Sequence, residues 1–182
     1  MRLNDDAVAS LSALEHVKAV YPVLRVYVLA RYGSYINDYI NVWGMTPEGL
    51  ANLNIEVGDG YLPTDDKELE FFYGNSIAEQ FYNPKNYEYP YYDTGEYAVD
   101  FMKDTVFIIF DQDAYYSSQY QDSGDSGTPV APPKKYIIKT AGVEKPNDED
   151  SWSQYGYRVF CNLDALKSTL KRVFRNRAIP GQ

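Results

Sequence analysis

The residues of this sequence that could perform chemistry are few, and most of them are carboxylates. Asp111 and Asp113 directly follow residues 106–110, the longest apolar run of the chain. Two aspartates at the end of a buried strand can hold a magnesium ion and supply a nucleophile or an acid. The alternative is a strand that ends in a solvated loop, and the sequence leaves both interpretations open.

This aspartate pair resembles the Asp-x-Asp motif of the haloacid-dehalogenase phosphotransferases, which place a nucleophile and an acid next to a magnesium ion. The family motif continues with Gly-Thr and normally lies near the N-terminus, whereas Ala114 and Tyr115 follow here. No later lysine and paired acids stand out that would complete such a site. The resemblance implies a magnesium-dependent phosphotransferase that uses Asp111 and Asp113, and we retain it only as a minor alternative.

Histidine and cysteine chemistry is almost absent, because the chain has one histidine, His16, and one cysteine, Cys161. A single cysteine excludes an internal disulfide, and a single histidine excludes a metal site with several histidine ligands. We expect Cys161 to be a small buried hydrophobe and His16 to lie on the surface of the first helix. The sequence therefore predicts a protein without enzymatic activity, bound metal or cofactor.

Acidic residues and tyrosines are concentrated in residues 48–125. This segment has 17 Asp and Glu, three Lys and 11 of the 19 Tyr, whereas residues 126–182 have five acids and ten bases. Carboxylates interleaved with phenols form a negative, hydrogen-bonding surface, which favours a partner that normally holds polyanions. Alternatively, the tyrosines of residues 82–97 fold over the core, or stack on sugar rings.

The function that we predict is a non-enzymatic inhibitor that binds the basic surface of a nucleic-acid-processing enzyme and blocks DNA binding or cleavage. Its carboxylates would replace phosphates, and its tyrosines would supply contact area. The predicted partner-binding residues are Asp59, Asp65, Asp66, Glu68, Glu70, Glu79, Tyr87, Glu88, Tyr89, Tyr91, Tyr92, Asp93, Glu96 and Asp100. The basic residues near the C-terminus could contact RNA or DNA, or could simply be solvated: Lys167, Lys171, Arg172, Arg175 and Arg177.

In size, acidity and absence of a catalytic motif, the sequence resembles phage-encoded anti-CRISPR proteins that bind the Cas9 nuclease. The resemblance concerns this overall profile, so no residue role is transferred from it. It implies Cas9 with its guide RNA as partner and the cytoplasm of a bacterial host cell as location. The alternative is a structural or adhesion-type module whose tyrosine-rich loop binds a carbohydrate or a coat protein.

The membrane is not expected to be a partner. No apolar run approaches the roughly 20 residues that a membrane helix needs, and the N-terminus lacks a basic stretch followed by an apolar one. These patterns predict a soluble, cytoplasmic protein.

The patterning predicts an α+β fold in one domain of residues 1–182, with a small antiparallel sheet, several short helices, a helical N-terminal part and a basic amphipathic helix at the C-terminal end. Helices are predicted at 5–20, 33–44, 46–54, 64–73, 76–82 and 163–177. Strands are predicted at 23–31, 97–102, 105–110, 136–139 and 157–161. Residues 58–60 are predicted as a turn, 83–96 as a loop, and 112–133 as a flexible loop.

Overall fold

The computed structural model describes residues 4–120, 131–149 and 152–175, and its centre is one curled sheet of eight strands. The strands are β1 Leu24–Tyr32, β2 Tyr35–Met45, β3 Val57–Gly60, β4 Glu70–Tyr73, β5 Phe107–Ile109, β6 Tyr136–Ile137, β7 Lys139–Glu144 and β8 Arg158–Asn162. Their order across the sheet is β3-β7-β4-β8-β2-β1-β5-β6. The α-helices are α1 Asp5–Ser12, α2 Pro47–Asn52, α3 Pro90–Thr94, α4 Gln112–Tyr120 and α5 Leu163–Val173, and Ala78–Gln80 forms a 3₁₀ turn.

The α+β class is confirmed, but the sheet is neither small nor wholly antiparallel. β2 pairs with β8, and β4 with β7, in parallel, while the other neighbouring strands are antiparallel. A parallel pair requires a long crossover connection. The sequence patterns that we used detect local hairpins, so they could not reveal that β8 returns to the middle of the sheet.

The hairpin of β1 and β2 overturns the helix predicted at 33–44. Gly33 takes the left-handed backbone conformation (φ 57°) in the turn between Tyr32 and Tyr35. A bulge then places two β2 residues, Asp38 and Tyr39, opposite a single β1 residue. Because a bulge interrupts the period of two, the apolar residues of β2 show a spacing that imitates a helix.

Several other predictions were wrong for related reasons. Residues 64–73 are not a helix: β4 is buried along its whole length, so it shows neither helical nor alternating polarity. Residues 58–60 belong to the edge strand β3 rather than to a turn, and residues 97–102 are irregular, with a turn that begins at residue 101, rather than a strand. The predicted loop at 112–133 begins instead with α4, and residues 121–130 lie outside the described part of the chain.

Elements with strong local signals were confirmed. α5 begins at Asn162, whose side chain accepts hydrogen bonds from the backbone N–H groups of Asp164 and Ala165. α2 has Thr46 as its capping residue and Pro47 in its first turn. β1, β5 and β8 also lie where strands were expected, whereas the N-terminal helix ends at Ser12 instead of reaching residue 20.

The inner face of the sheet packs against α5 and against buried residues of the connecting segments, whereas the clusters on the outer face lie at its two ends. Leu166 and Leu170 of α5 pack in the main core with Val28, Ile40 and other buried residues. On the outer face, one small cluster includes Tyr115 of α4, and another includes Leu50 of α2. The middle of the outer face lies between these two clusters.

Candidate functional site: an acidic cleft lined by tyrosines

A cleft of about 710 Å³ opens where β4 and β7 end, and we call it the acidic cleft. Its walls come from the segment after β4, from the 3₁₀ turn, from residues 96–104 and from the end of β7. Five carboxylates line it: Glu79, Glu96, Asp100, Asp104 and Glu144. Among the described residues, no lysine or arginine lines this cleft, so it is a concentrated negative region.

Close backbone approach at one glycine shapes the side of the cleft. A Cβ atom on Gly74 would lie 2.4 Å from the carbonyl oxygen of Gly156. With no side chain in the way, the N–H groups of Gly74 and Ser76 donate to the carbonyl oxygens of Arg158 and Gly156. This pairing directs the chain from β4 into the 3₁₀ turn that carries Glu79.

The floor of the cleft is held by aromatic packing rather than by regular secondary structure. Phe101 stacks on Tyr73, with ring centroids 3.7 Å apart and planes inclined by 5°, and meets Phe81 edge to face. Val99 is also buried. Residues 97–102 thus pack on the core without regular secondary structure, and two of their apolar side chains point inward.

Tyrosines form one wall of the cleft and continue beyond it. Tyr91 and Tyr97 line the cleft and stack with centroids 4.9 Å apart. From Tyr91 the ring contacts continue through Tyr92 and Tyr89 to Tyr82. We call the connected rings the tyrosine row: Tyr82, Tyr87, Tyr89, Tyr91, Tyr92 and Tyr97.

The phenols around the cleft act as hydrogen-bond donors to its carboxylates. Tyr157 donates to Glu79 over 3.2 Å, and Tyr32 donates to Asp104 over 3.0 Å. Burial, followed by the negative charge of Glu79, raises the pKa of Tyr157, and the hydrogen bond to Asp104 raises the pKa of Tyr32. Both phenols therefore stay protonated at neutral pH and remain hydrogen-bond donors.

The five carboxylates differ in how much of their charge is already compensated. Asp100 pairs with Lys103 over 2.9 Å, and this hydrogen bond lowers the pKa of Asp100. Glu144 is buried and accepts hydrogen bonds from the backbone N–H of Asn75 and the hydroxyl of Ser153. Glu79 and Glu96 form no ion pair within the described residues. These two are the carboxylates best placed to meet an incoming cation.

The arrangement suits a lysine or arginine side chain from a partner. Its aliphatic part would lie against Tyr91 and Tyr97, while the charged end would meet Glu79 and Glu96. Carboxylates bind guanidinium and ammonium groups through charge-assisted hydrogen bonds, and aromatic faces add a cation–π attraction. The cleft thus has the charge and the aromatic faces that suit a cationic side chain.

The structure brings only some of the predicted partner-binding residues together. Four of them line the acidic cleft: Glu79, Tyr91, Glu96 and Asp100. A second group lies before or at the start of β4, at the end of that strand opposite to the cleft: Asp65, Asp66, Glu68 and Glu70. Asp59 lies on β3 at the edge of the sheet. The predicted acids therefore do not all share one site.

Three members of the second group have partners within the protein itself. Glu68 lies 3.8 Å from the ammonium group of Lys139. Glu70 is buried, pairs with Lys139 over 2.5 Å and accepts a hydrogen bond from Tyr61 over 2.7 Å. Asp65 accepts hydrogen bonds from the backbone N–H groups of Lys67 and Glu68, which lower its pKa. Their carboxylates stabilise the chain locally.

The remaining predicted residues lie along the tyrosine row. Tyr87 and Tyr92 are 73% and 62% exposed, whereas Tyr89 is half-buried against Tyr82. Asp93 accepts a hydrogen bond from the backbone N–H of Tyr89 and so fixes the start of α3. Glu88 is exposed.

The basic residues of α5 and the aspartate pair lie elsewhere. Four bases are exposed on or just after α5, namely Lys167, Lys171, Arg172 and Arg175, and Arg177 lies outside the described residues. Asp111 accepts a hydrogen bond from the backbone N–H of Ala114 at the start of α4, and Asp113 lies in the first turn of that helix. Within the described residues, no group of three or more histidine, cysteine or acidic side chains could hold a metal ion.

Sequence reasoning missed Asp104, Glu144 and Tyr157 as parts of the site. Glu144 is the last residue of β7, a strand whose burial does not alternate, so no pattern in the sequence singles this residue out. Asp104 and Tyr157 are separated by more than fifty positions in the sequence, so only the fold brings them to the same cleft.

Comparisons with known proteins show a similarity at the level of structure. No protein-family model and no curated protein matches the chain. The extracellular domain of the noncanonic ABC-type transporter YknZ from Gram-positive bacteria aligns with a TM-score of 0.48 at 14% identity, over 96% of this chain and 68% of that chain. The described part of this chain has no helix that is both long and apolar enough to cross a membrane.

Proposed function

We propose that this protein is a non-enzymatic binding protein whose acidic cleft holds a basic segment of a nucleic-acid-processing enzyme. The observation that carries the proposal is the set of five carboxylates around a 710 Å³ cleft that no lysine or arginine of the described residues lines. Burying arginine or lysine side chains that otherwise hold phosphate would block DNA binding or cleavage by the partner.

The partner that we propose is Cas9 with its guide RNA. Support comes from the resemblance of the overall sequence profile to anti-CRISPR proteins and from the charge complementarity between the acidic cleft and a nuclease that binds nucleic acid. Electrostatic complementarity of this kind raises association rates and makes them depend on salt. Increasing ionic strength should therefore weaken the complex.

The first experiment tests the cleft with a neutralising pair of substitutions. Glu79→Gln with Glu96→Gln keeps the shape of both side chains and removes two negative charges. Hydrogen bonds to charged groups contribute about 1.5 to 3 kcal/mol each, so we expect the double variant to bind the Cas9 ribonucleoprotein at least tenfold more weakly. Biolayer interferometry at low and high salt measures this effect, and a DNA cleavage assay measures inhibition.

A matched control separates the cleft from general acidity. Glu15→Gln with Glu48→Gln removes the same charge from two exposed residues outside the cleft, so affinity should stay close to that of the unmodified protein. Equal loss in both double variants would refute the cleft as the binding site. If a hexa-arginine peptide binds in a Glu79- and Glu96-dependent way while Cas9 does not bind, the cleft is supported and the partner is wrong.

One observation favours a second candidate function, a carbohydrate-binding module. The rings of Tyr87 and Tyr92 are largely exposed at the outer end of the tyrosine row. Stacking of such rings on a neutral sugar would be almost independent of salt. Retention of the protein on a glycan array at high salt, with loss on Tyr92→Ala, would support this function against the inhibitor.

A further inference from the structure

A second surface, on the outer face of the sheet, is independent of the acidic cleft. The outer face carries the cluster of α4 at one end and that of α2 at the other, and the outward-facing side chains in the middle stretch between them are exposed or half-buried. We call the outward-facing residues of this middle stretch the sheet platform: Arg25, Tyr27, Tyr39, Asn41, Trp43 and Arg158.

The strand register places these residues on one face. Arg25 is opposite Trp43, Tyr27 is opposite Asn41, and Asn41 is opposite Arg158. Residues paired in this way have side chains on the same side of the sheet, and residues two apart along a strand share it too. The intervening residues Val26, Ile40 and Val42 point into the core.

The cationic part of the sheet platform consists of two arginines next to one tryptophan. The guanidinium carbons of Arg25 and Arg158 lie 4.4 Å and 4.6 Å from the centre of the Trp43 ring. Within the described residues, neither arginine forms an ion pair. A guanidinium that lies on an aromatic ring is held in place while its free edge N–H groups can still bind phosphate. Arg25 is exposed, whereas Nη1 of Arg158 donates to the backbone carbonyl oxygen of Gln154 and its Nε is buried, so Arg158 offers a phosphate mainly its Nη2 group.

The aromatic part consists of two exposed tyrosines. Tyr27 and Tyr39 are 49% and 72% exposed, and their ring centroids are 5.1 Å apart with the planes inclined by 40°. Exposed rings on a sheet, next to arginines, form the type of surface on which RNA-binding domains stack unpaired bases. Aromatic faces accept any base, and basic groups follow the backbone.

We propose that the sheet platform binds single-stranded nucleic acid, with bases on Tyr27 and Tyr39 and phosphates at Arg25 and Arg158. The basic residues of α5 offer positive charge without exposed aromatic rings next to it, since Lys167 and Lys171 lie on a solvated helix face. A neutral glycan would leave the two guanidinium groups without a charged partner. Because the whole chain has a net charge of -9, binding is expected to be weak and to fall with added salt.

The experiment measures fluorescence anisotropy of a labelled oligo-dT of about 12 nucleotides with the full chain at about 50 and about 200 mM salt. Loss of one base–aromatic contact in Tyr39→Ala should weaken binding by about 5-fold to about 140-fold, and Tyr39→Phe should restore it. Arg25→Gln should reduce the slope of log affinity against log salt by about 0.7, the value for one phosphate contact on a single strand.

Two controls make the result specific to this face. Tyr87→Ala removes a ring of the same exposure from the tyrosine row, and Lys167→Gln with Lys171→Gln removes charge from α5; both variants should bind like the unmodified protein. Circular dichroism confirms that each variant is folded. The proposal is overturned if the α5 variant loses binding while Tyr39→Ala does not, if duplex DNA binds as well as oligo-dT, or if the full chain at about 1 mM shows no binding at the lower salt concentration.

Discussion

Replacing Phe101 by alanine should both destabilise the protein and remove the floor of the acidic cleft. Phe101 is 6% exposed, stacks on Tyr73 and contacts Phe81 edge to face. Phe101 lies in an irregular segment, so no hydrogen bonds between strands would hold residues 97–102 in place once the ring is gone. Its side chain is therefore the main link between this segment and the core.

The magnitude follows from cavity formation. Truncating a buried phenylalanine to alanine costs about 3 to 5 kcal/mol, which is a large part of the roughly 5 to 15 kcal/mol that keeps a typical domain folded. For a chain of this size, 1 kcal/mol lowers Tm by about 2 to 4 °C. We therefore expect Phe101→Ala to lower Tm by about 6 to 20 °C, or to unfold the chain outright.

Guanidinium chloride unfolding, followed by circular dichroism, measures the effect. Phe101→Leu serves as the control, because it keeps most of the apolar volume and should cost about 1.5 kcal/mol or less. The aromatic stack is refuted if Phe101→Ala changes the free energy of unfolding by less than about 1 kcal/mol. If that variant is as stable as the leucine variant, the cavity argument is refuted as well.

Three further predictions concern the capping of α5, the pH dependence and the thiol. Asn162→Ala removes two hydrogen bonds from the N-terminus of α5 and should lower the free energy of unfolding by about 1 to 2 kcal/mol, while Asn162→Ser, which keeps an uncharged oxygen acceptor at this buried position, should retain most of it. The pKa of Asp100 is lowered in the folded state, so its contribution is present above the unfolded pKa of about 4 and is lost as the pH falls through the folded value. Asp100→Asn should therefore show a smaller drop in unfolding midpoint between about pH 5 and about pH 2, and an equal drop would contradict the ion pair with Lys103. Burial raises the pKa of Cys161, so a thiol reagent should react with it only at the rate of unfolding; fast labelling of the native protein would show that the strand opens.

The sequence predicted those elements whose signals are local. α5 has a capping asparagine and a periodic apolar stripe, and α2 has Thr46 before Pro47, so each helix could be placed from neighbouring residues alone. The prediction for β2 was wrong because the bulge at Asp38 disrupts the alternation of apolar and polar residues. The prediction for β4 was wrong because a strand that is buried along its whole length shows no alternation of apolar and polar residues.

The candidate site could be predicted only in its chemistry. An excess of carboxylates and tyrosines in residues 48–125 correctly indicated the character of the acidic cleft, but not its membership. Glu70 belongs to the same acidic segment, yet the fold buries it against Lys139. Glu144 lies in the more basic C-terminal part of the sequence, yet it lines the cleft because it is at the end of β7. Charge counts along a chain cannot distinguish these cases, because the sheet order decides which strand ends meet.

The two proposed sites meet at two consecutive residues. Tyr157 donates a hydrogen bond to Glu79 of the acidic cleft, and the guanidinium of Arg158 lies over Trp43 of the sheet platform. Their side chains contact different surfaces, so a basic peptide and an oligonucleotide should bind together without competing for the same residues.

We expect a saturating concentration of hexa-arginine peptide to change the affinity of the protein for labelled oligo-dT by less than fivefold, which is the lower end of typical coupling between two sites. The Glu79→Gln and Glu96→Gln double variant, which should not hold the peptide, controls for direct association of peptide with oligonucleotide. If the peptide displaces the oligonucleotide from the unmodified protein but not from this variant, the two ligands share one site and the separation of the two surfaces is wrong.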